Sequence, residues 1–311
     1  MNTICDNMSL APIVVFSYDR PDHLHRTLEA LAKNDLAQDS LLYIYCDGAK
    51  PDATEDQCQR VLENRVVAHA AIGFKEVYVV ERERNIGLKD NIVGAVTEIV
   101  NQYGRVITLE DDVVTSVGFL KFMNEALELY ADEKKVMHVS AYMYPHKSRL
   151  PETFFYPVPY PGGGWATWQR AWKQYNDDAQ ELFDYWQDKW DEFDIYGGDY
   201  LSKQLKKNCE GTMRTWFVKW YAVMKMQNAL SLFPGRSLTN NIGFDSFATN
   251  CYTTTKFDVE PTDYVKVERA KLAVNRKASR LIYVFYQGHW YNKRRRNALI
   301  KKIKHVVLFW K

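Results

Sequence analysis

The sequence lacks the features that mark several classes of protein. Its five cysteines form no CxxC pair and show no zinc-type spacing, which argues for structural thiols in a reducing compartment. It has no run of about 18 apolar residues, and its first residues show neither the basic nor the apolar region of a signal peptide. Repeats and low-complexity segments are absent too. We therefore expect a cytoplasmic protein that does not span a membrane.

A strong net charge is also missing. The formal charge is +2 at pH 7, so no global field attracts nucleic acid, and we expect no nucleic-acid partner. A hydrophobic content of 46% over 311 residues is sufficient for a full core. The length is compatible with one α/β unit followed by appendages.

Short apolar runs alternate with amphipathic stretches over residues 1–140, which is the pattern of βαβ units in a parallel sheet. Strands are predicted at 13–16, 41–46, 77–80 and 106–109, and helices at 23–33, 55–69 and 91–103. After residue 145 the chain is rich in Pro, Gly and aromatic residues, which predicts a long loop as far as residue 165. Further helices are predicted at 169–175, 200–207 and 216–227, and a strand at 230–233.

Three consecutive acids, Glu110, Asp111 and Asp112, directly follow the fourth predicted strand. In open α/β sheets, ligands collect in the crevice beyond the carboxyl ends of the strands. A diphosphate bound there needs a hard cation, and Mg²⁺ or Mn²⁺ prefers one or two carboxylates completed by phosphate oxygens and water. The alternative is that Asp111 or Asp112 caps a following helix. Because a cap needs only one acid, three in a row favour the metal site.

Polar side chains also follow the first two predicted strands. Ser17 and Arg20 come after the first, and Asp47 comes after the second. A carboxylate can accept from a uracil N–H, and a guanidinium can meet phosphate or base edges. The Asp-Arg-Pro sequence around Arg20 is equally typical of a turn that leads into a helix. Lys89 ends an Asn-Ile-Gly-Leu-Lys segment, which is either a plain turn or a loop on the phosphate side of a site.

Glycines at 162–164 precede a tryptophan in the long predicted loop. Glycine has no side chain to obstruct a ligand, so Gly164 and Trp165 are candidate ligand contacts. The indoles of Trp165 and Trp168 could stack on the C–H faces of a sugar. The alternative is a flexible loop followed by tryptophans of the core.

In this order, the segments resemble the GT-A-fold glycosyltransferases, and most closely the N-acetylglucosaminyltransferase I group. The shared pattern is an Asp-Arg pair, an Asp closing the second strand, a Glu-Asp-Asp run, a Gly-rich Trp loop, a Trp-x-x-x-Trp-like helix start and a Pro-x-x-Ser-x-Thr-x-Asn-x-Gly segment. These lie at 19–20, 47, 110–112, 162–165, 216–220 and 234–243. The segments 216–222 and 241–245 also resemble bacterial sugar transferases of surface-polysaccharide clusters.

The resemblance, which covers residues 12–251, implies a Rossmann-like, open and mostly parallel sheet flanked by helices. It implies that Asp112 binds the metal, with Glu110 and Asp111 beside the sugar and ribose, and Arg20 and Asp47 at the base. The activity it implies is transfer from a UDP-linked sugar to a hydroxyl of a growing bacterial glycan, which could be carried on a lipid. We expect a nucleotide-sugar half at 11–145 and an acceptor half at 146–270, together one domain over 1–270.

The general base is left open, because the chain departs from the group's pattern. Phe217 and Val218 stand where the group has an acid, and Asn250 stands where many relatives have a histidine. Asp199, which opens a predicted helix after two glycines, is our first candidate for the base of an inverting reaction, and Asp245 is the second. The alternative for Asp199 is a helix N-cap.

The tail at 271–311 is basic and apolar by turns, with four consecutive basic residues at 293–296 and an apolar cluster at 306–310. It predicts either an amphipathic segment on the anionic inner face of the cytoplasmic membrane or an ordinary packed helix. Two rival functions stay open for the whole chain. One is a nucleotidyltransferase, and the other is a non-catalytic protein that binds glycan or membrane on the same fold.

Overall fold

The structure is a computed structural model that describes residues 9–194, 199–244 and 253–287. Its strands are β1 Ile13–Ser17, β2 Leu41–Cys46, β3 Glu76–Glu81, β4 Arg105–Glu110, β5 Val113–Thr115, β6 Val136–Ser140, β7 Thr153–Tyr156, β8 Trp165–Trp168, β9 Leu230–Pro234 and β10 Thr239–Asn241. Its helices are α1 Pro21–Ala32, α2 Glu55–His69, α3 Leu88–Tyr103, α4 Phe119–Leu129, α5 Gln169–Trp172, α6 Ala179–Trp186, α7 Trp190–Phe193, α8 Tyr200–Cys209 and α9 Phe217–Met226.

Eight strands form one sheet in the order β3-β2-β1-β4-β8-β6-β9-β7. Strands β1 to β4 are mutually parallel, and α1, α2 and α3 cross between them. Strand β8 runs antiparallel to β4 and β6, and β7 runs antiparallel to β9. A second sheet pairs β5 with β10. The predicted open, mostly parallel α/β sheet flanked by helices is confirmed.

Strand β1 lies in the middle of the parallel half because all five of its residues are apolar or small and can be buried on both faces. Ile13 and Val15 pack into the hydrophobic cluster on one side of the sheet, and Val14 and Phe16 pack into the cluster on the other. Each such side chain contributes roughly 1.5–3 kcal/mol by burial. This packing fixes the carboxyl end of β1, where Arg20 follows.

The helices begin and end at local sequence signals. Helix α1 begins with Pro21 in its first turn, where a missing N–H costs nothing. Helix α2 begins at a capping box in which Thr54 Oγ1 accepts from the Gln57 N–H at 3.2 Å and Gln57 Oε1 accepts from the Thr54 N–H at 3.0 Å. These signals set the short connections that bring the strand ends to one edge.

The long loop predicted between residues 145 and 165 is partly wrong, because β7 and the start of β8 lie in it. Both strands are buried throughout and are stabilised by pairing within the sheet, which the Pro- and Gly-rich flanking sequence does not reveal. None of the helices in the described part of the chain is long and apolar enough to cross a membrane.

The sequence predicts that the domain ends at residue 270, but residues beyond this boundary pack on the same core. Ala278 and Ile282 are fully buried, and Val274 forms a bridge with Phe155. The hydroxyls of Tyr286 and Tyr144 lie 2.8 Å apart. The chain up to residue 287 therefore belongs structurally with the sheet, while the basic cluster at 293–296 lies outside the described residues.

Candidate functional site

The acidic run lies where two central parallel strands end. Glu110 is the last residue of β4 and pairs in register with Phe16 of β1, so the end of β1 lies beside it. After Asp111 and Asp112 the chain enters β5, and α4 begins only at Phe119. The two aspartates therefore cap no helix, and the helix-cap alternative is wrong.

Arg20 connects β1 to the acidic run. Its guanidinium donates to Asp111 Oδ1 through Nη2, and its Nη1 lies 2.9 Å from Asp112 Oδ2. The contact follows from topology, because Arg20 directly precedes α1 and β1 neighbours β4. Burial opposes the charge of Arg20, but the two aspartates outweigh it and raise the pKa of Arg20. One guanidinium thus compensates part of three acidic charges.

The pKa values of two of the acids are raised. Burial, followed by repulsion from Asp112, raises the pKa of Glu110 to about 8. Burial also raises the pKa of Asp111 to about 7, although Arg20 opposes that shift. Glu110 and Asp111 therefore hold their protons to a higher pH than free carboxyl groups do, and a cation bound beside them would favour their ionised forms.

Asp112 is enclosed by the segment that follows β10. Its Oδ1 accepts from Asn241 Nδ2 at 3.0 Å, and its backbone carbonyl accepts from the Ile242 N–H at 2.8 Å. A Cβ atom at Gly243 would lie 2.0 Å from Asp112 Oδ2, so a larger residue fits there only if Asp112 or Arg20 moves. Asn241 and Gly243 belong to the Pro-x-x-Ser-x-Thr-x-Asn-x-Gly segment, whose sequence alone does not indicate contact with the acidic run.

The carboxylates of the acidic run fit a divalent cation that takes only one or two of its ligands from the protein. No group of three or more His, Cys, Asp or Glu side chains arranged to hold a metal occurs among residues 9–194, 199–244 and 253–287. Mg²⁺ and Mn²⁺ sites at phosphates need only one or two carboxylates. Asp112, 7% exposed, fits as such a ligand, with the remaining positions filled by phosphate and water rather than by protein.

Ser17 and Asp47 lie at the predicted edge, but their polar atoms already have partners. The Ser17 hydroxyl accepts from Asn64 and donates to Cys46 Sγ at 3.8 Å. The Asp47 carboxylate accepts from the backbone N–H groups of Gly48, Ile86 and Gly87, each at 2.9 Å. Asp47 therefore holds the loop after β3 in place, and its contact with a base stays a prediction.

Lys89 lies in the first turn of α3, beside that loop. Its ammonium group contacts Asp177 and lies 3.1 Å from Asp90 Oδ1. Lys219 of α9 also contacts Asp177, at 2.7 Å. The predicted phosphate-side lysine is thus part of an ion-pair cluster that joins α3 to α9.

The two predicted loop contacts, Gly164 and Trp165, differ in access. Gly164 has φ +76, and a Cβ there would lie 3.1 Å from the Phe119 ring, so glycine is required. Trp165 is only 3% exposed and stacks on Trp216, with ring centroids 4.9 Å apart. Trp168 is 4% exposed. The expectation that these indoles face a sugar is corrected, because both belong to the core.

Asp199 occupies the N-cap position before α8, but its side chain makes no cap hydrogen bond. Asp194 Oδ1 performs that function, accepting from the N–H groups of Leu201 and Ser202, each at 3.1 Å. Asp199 is exposed and pairs with Lys203 at 2.5 Å. Asp245, the second candidate base, lies outside the described residues.

No protein-family model matches the chain. Among solved structures, it is similar to S. aureus TarS 1–349 at 12% identity and TM-score 0.40, covering 76% of this chain and 61% of that one. It is similar to the galactosyltransferase LgtC, in complex with donor and acceptor sugar analogues, at 10% identity and TM-score 0.34, covering 57% and 65%. It is also similar to CMP:2-keto-3-deoxy-manno-octonic acid synthetase complexed with CTP, at 14% identity and TM-score 0.33, covering 54% and 77%.

These likenesses are distant. The chain spans 61% of TarS 1–349 and 23% of a longer TarS chain, which is less than two thirds of either.

Proposed function

We propose that this protein is a glycosyltransferase that moves a sugar from a UDP-linked donor to a hydroxyl of a glycan, with Mn²⁺ or Mg²⁺. The observation that carries the proposal is the convergence of Glu110, Asp111, Asp112 and Arg20 at the carboxyl edge of β1 and β4. This is the edge at which open α/β sheets bind nucleotides. The residue order of the GT-A pattern supports the same reading.

The proposed roles follow from the contacts. Asp112 is the metal ligand, and the bound cation would neutralise charge that develops on the leaving diphosphate. Arg20, whose side chain is 17% exposed, is placed to donate to a phosphate while it holds Asp111. Glu110, half-buried at the end of β4, is a candidate contact of the donor sugar or ribose.

The glycine loop supplies backbone rather than aromatic contacts in this proposal. The carbonyls of Gly162 and Gly163 are held by Asn241 and Thr239, at 2.8 and 2.6 Å. Gly162 is half-buried and is joined to Asp112 through Asn241, whereas Gly163 and Gly164 are buried against Tyr142 and Phe119. We propose that the donor approaches the backbone at Gly162, which is the use of glycine that the sequence suggested.

We propose that the acceptor is a growing bacterial surface glycan and that Asp199 or Asp245 serves as base.

We also propose that residues 293–311 bind the anionic inner face of the cytoplasmic membrane, because their basic and apolar residues alternate. Removal of these residues should abolish co-sedimentation with anionic liposomes at low salt, and unchanged sedimentation would contradict the membrane proposal.

The deciding experiment is product analysis with a panel of nucleotide sugars and Mn²⁺. Release of a nucleoside diphosphate that stops in EDTA supports a metal-dependent glycosyltransferase. Release of pyrophosphate from a nucleoside triphosphate and a sugar phosphate would instead identify a nucleotidyltransferase. Binding of nucleotide sugar without any turnover, including hydrolysis, would favour a non-catalytic binding protein. Equal turnover in EDTA would contradict the metal dependence and leave the glycosyltransferase proposal standing.

A further inference from the structure

Asn241 has three hydrogen bonds that connect separate parts of the proposed donor site. Its Nδ2 donates to Asp112 Oδ1 at 3.0 Å and to the Gly162 carbonyl at 2.8 Å. Its Oδ1 accepts from the Gly243 N–H at 2.8 Å. The residue is 8% exposed, so little water is available to replace these partners.

The orientation of this amide is set by its partners. A carboxylate and a carbonyl can only accept, and a backbone N–H can only donate, so Nδ2 must face Asp112 and Gly162. An aspartate at this position would place acceptor against acceptor at two contacts. A glutamine would carry the amide one methylene further. The chemistry of the site thus calls for asparagine at this position.

The strand that carries Asn241 has two different faces. Thr239 and Asn241 both bond to the glycine loop, while the Asn240 side chain accepts from the Val259 N–H at 3.1 Å. Strand β10 pairs with β5, in register from Thr239–Thr115 to Asn241–Val113, so it is fixed to the chain directly after Asp112. Asn240 is therefore a neighbouring control residue on the same strand, whose hydrogen bond to Val259 lies away from the contacts that Asn241 makes with Asp112 and Gly162.

We infer that Asn241 is a positioning residue, which aligns the Asp112 carboxylate with the glycine loop so that both meet the donor as one unit. The inference rests on the proposed function, since it assigns Asn241 a role through the proposed metal ligand. With a methyl group at 241, Asp112 Oδ1 and the Gly162 carbonyl would lose this donor, and the Asp112 side chain could rotate away from its present position.

The test compares Asn241→Ala with Asn240→Ala in the full-length protein. Mn²⁺ affinity is measured directly, by the paramagnetic resonance of free Mn²⁺ with and without UDP, and hydrogen exchange is followed at 162–164. Loss of an outer partner of a metal ligand typically costs about 10–100-fold in affinity, so Asn241→Ala should lower Mn²⁺ affinity at least about tenfold. It should also speed exchange in the glycine loop. Asn240→Ala should stay within about twofold of wild type in both readouts.

A merely structural role predicts another outcome. If the two alanine variants lose the same thermal stability and bind Mn²⁺ as wild type does, the inference is overturned while the proposed function stands. If the wild-type protein binds neither Mn²⁺ nor UDP, the proposed function fails first and the inference fails with it. Should Asn241→Ala not fold, Asn241→Ser, which keeps a shorter hydroxyl donor, is measured for the same loss of Mn²⁺ affinity.

Discussion

Arg20 Nη1 lies 2.9 Å from Asp112 Oδ2 at the carboxyl edge of the central strands. The carboxylate proposed to bind a metal is therefore already in contact with a cation of the chain. Cation binding at Asp112 has to compete with, or share, this contact. Because the acids outnumber the guanidinium, the two cations can coexist when a diphosphate adds its own negative charge.

Asp112→Asn should remove metal-dependent turnover without loss of stability. The substitution removes a metal ligand, which is worth several kcal/mol in the transition state, so turnover should fall at least about 100-fold. It also removes one of three crowded acids, so the thermal midpoint should rise or stay unchanged. Donor turnover and thermal unfolding are measured beside Asp188→Asn, which alters an exposed aspartate. Full activity in Asp112→Asn would contradict the metal assignment.

The acidic run should make the metal-free protein less stable as pH rises. The pKa values of Glu110 and Asp111 are raised from 4.5 and 3.8 to about 8 and 7 by burial. The folded state then holds protons that the unfolded state has lost, so this contribution to stability is full below about pH 4 and is lost as pH rises through 7 and 8. Urea unfolding at pH 6 and 9 measures the loss.

The matched variants for this pH effect are Glu110→Gln and Glu63→Gln. Glu110→Gln removes one of the raised carboxyl groups, so its stability should fall less between pH 6 and 9 than that of wild type. Glu63 is exposed on α2, so Glu63→Gln should keep the wild-type slope. Identical slopes for all three proteins would show that the pKa of Glu110 is not raised in the folded protein.

Gly243→Ala should damage the site through a single methyl group. The added Cβ would lie 2.0 Å from Asp112 Oδ2 and 2.9 Å from Arg20 Nη1, so one of these side chains must move. We expect metal-dependent turnover to fall at least about tenfold, because the ligand geometry is altered. The control is Gly94→Ala in α3, where a Cβ meets nothing within 4 Å and should stabilise the helix by about 0.5–1 kcal/mol. Equal activity of both variants would show that Asp112 is not confined by Gly243.

The contrast between Asp47 and Asp112 shows what the sequence could predict and what it could not. Both follow buried apolar strands, and strand positions in the parallel half were predicted because their apolar runs are uninterrupted. The groups that each carboxylate contacts depend on neighbours distant in sequence. Asp47 is satisfied by N–H groups of Ile86 and Gly87, whereas Asp112 meets Arg20 and Asn241.

The prediction that Trp165 lies in a loop and faces a sugar was wrong for a related reason. Trp165 follows three glycines, and local composition therefore indicates a loop. The strand forms because β8 pairs with both β4 and β6. Trp165 is covered by Trp216, which lies 51 positions later in the sequence and directly precedes α9. Tertiary contacts of this range leave no local pattern, so burial of the indole could not be read from the segment itself.

The last prediction concerns the general base. Asp199 makes no cap hydrogen bond and forms an exposed ion pair with Lys203, so Asp199→Asn should cost at most about 0.5 kcal/mol of stability. If Asp199 is the base, turnover should nevertheless fall about 100-fold or more. Asp194→Ala is the structural control, since it weakens the α8 cap by about 1 kcal/mol and should leave turnover of the folded protein unchanged.

These variants are assayed together with Asp245→Asn and with NMR of the product's anomeric configuration. An inverted product, with the rate lost in one of Asp199→Asn and Asp245→Asn, would identify the base, because an inverting transfer needs a carboxylate within reach of the acceptor hydroxyl. An inverted product with both variants near the wild-type rate would contradict both candidates. A retained product would contradict the premise itself, since retention does not require a base at that position.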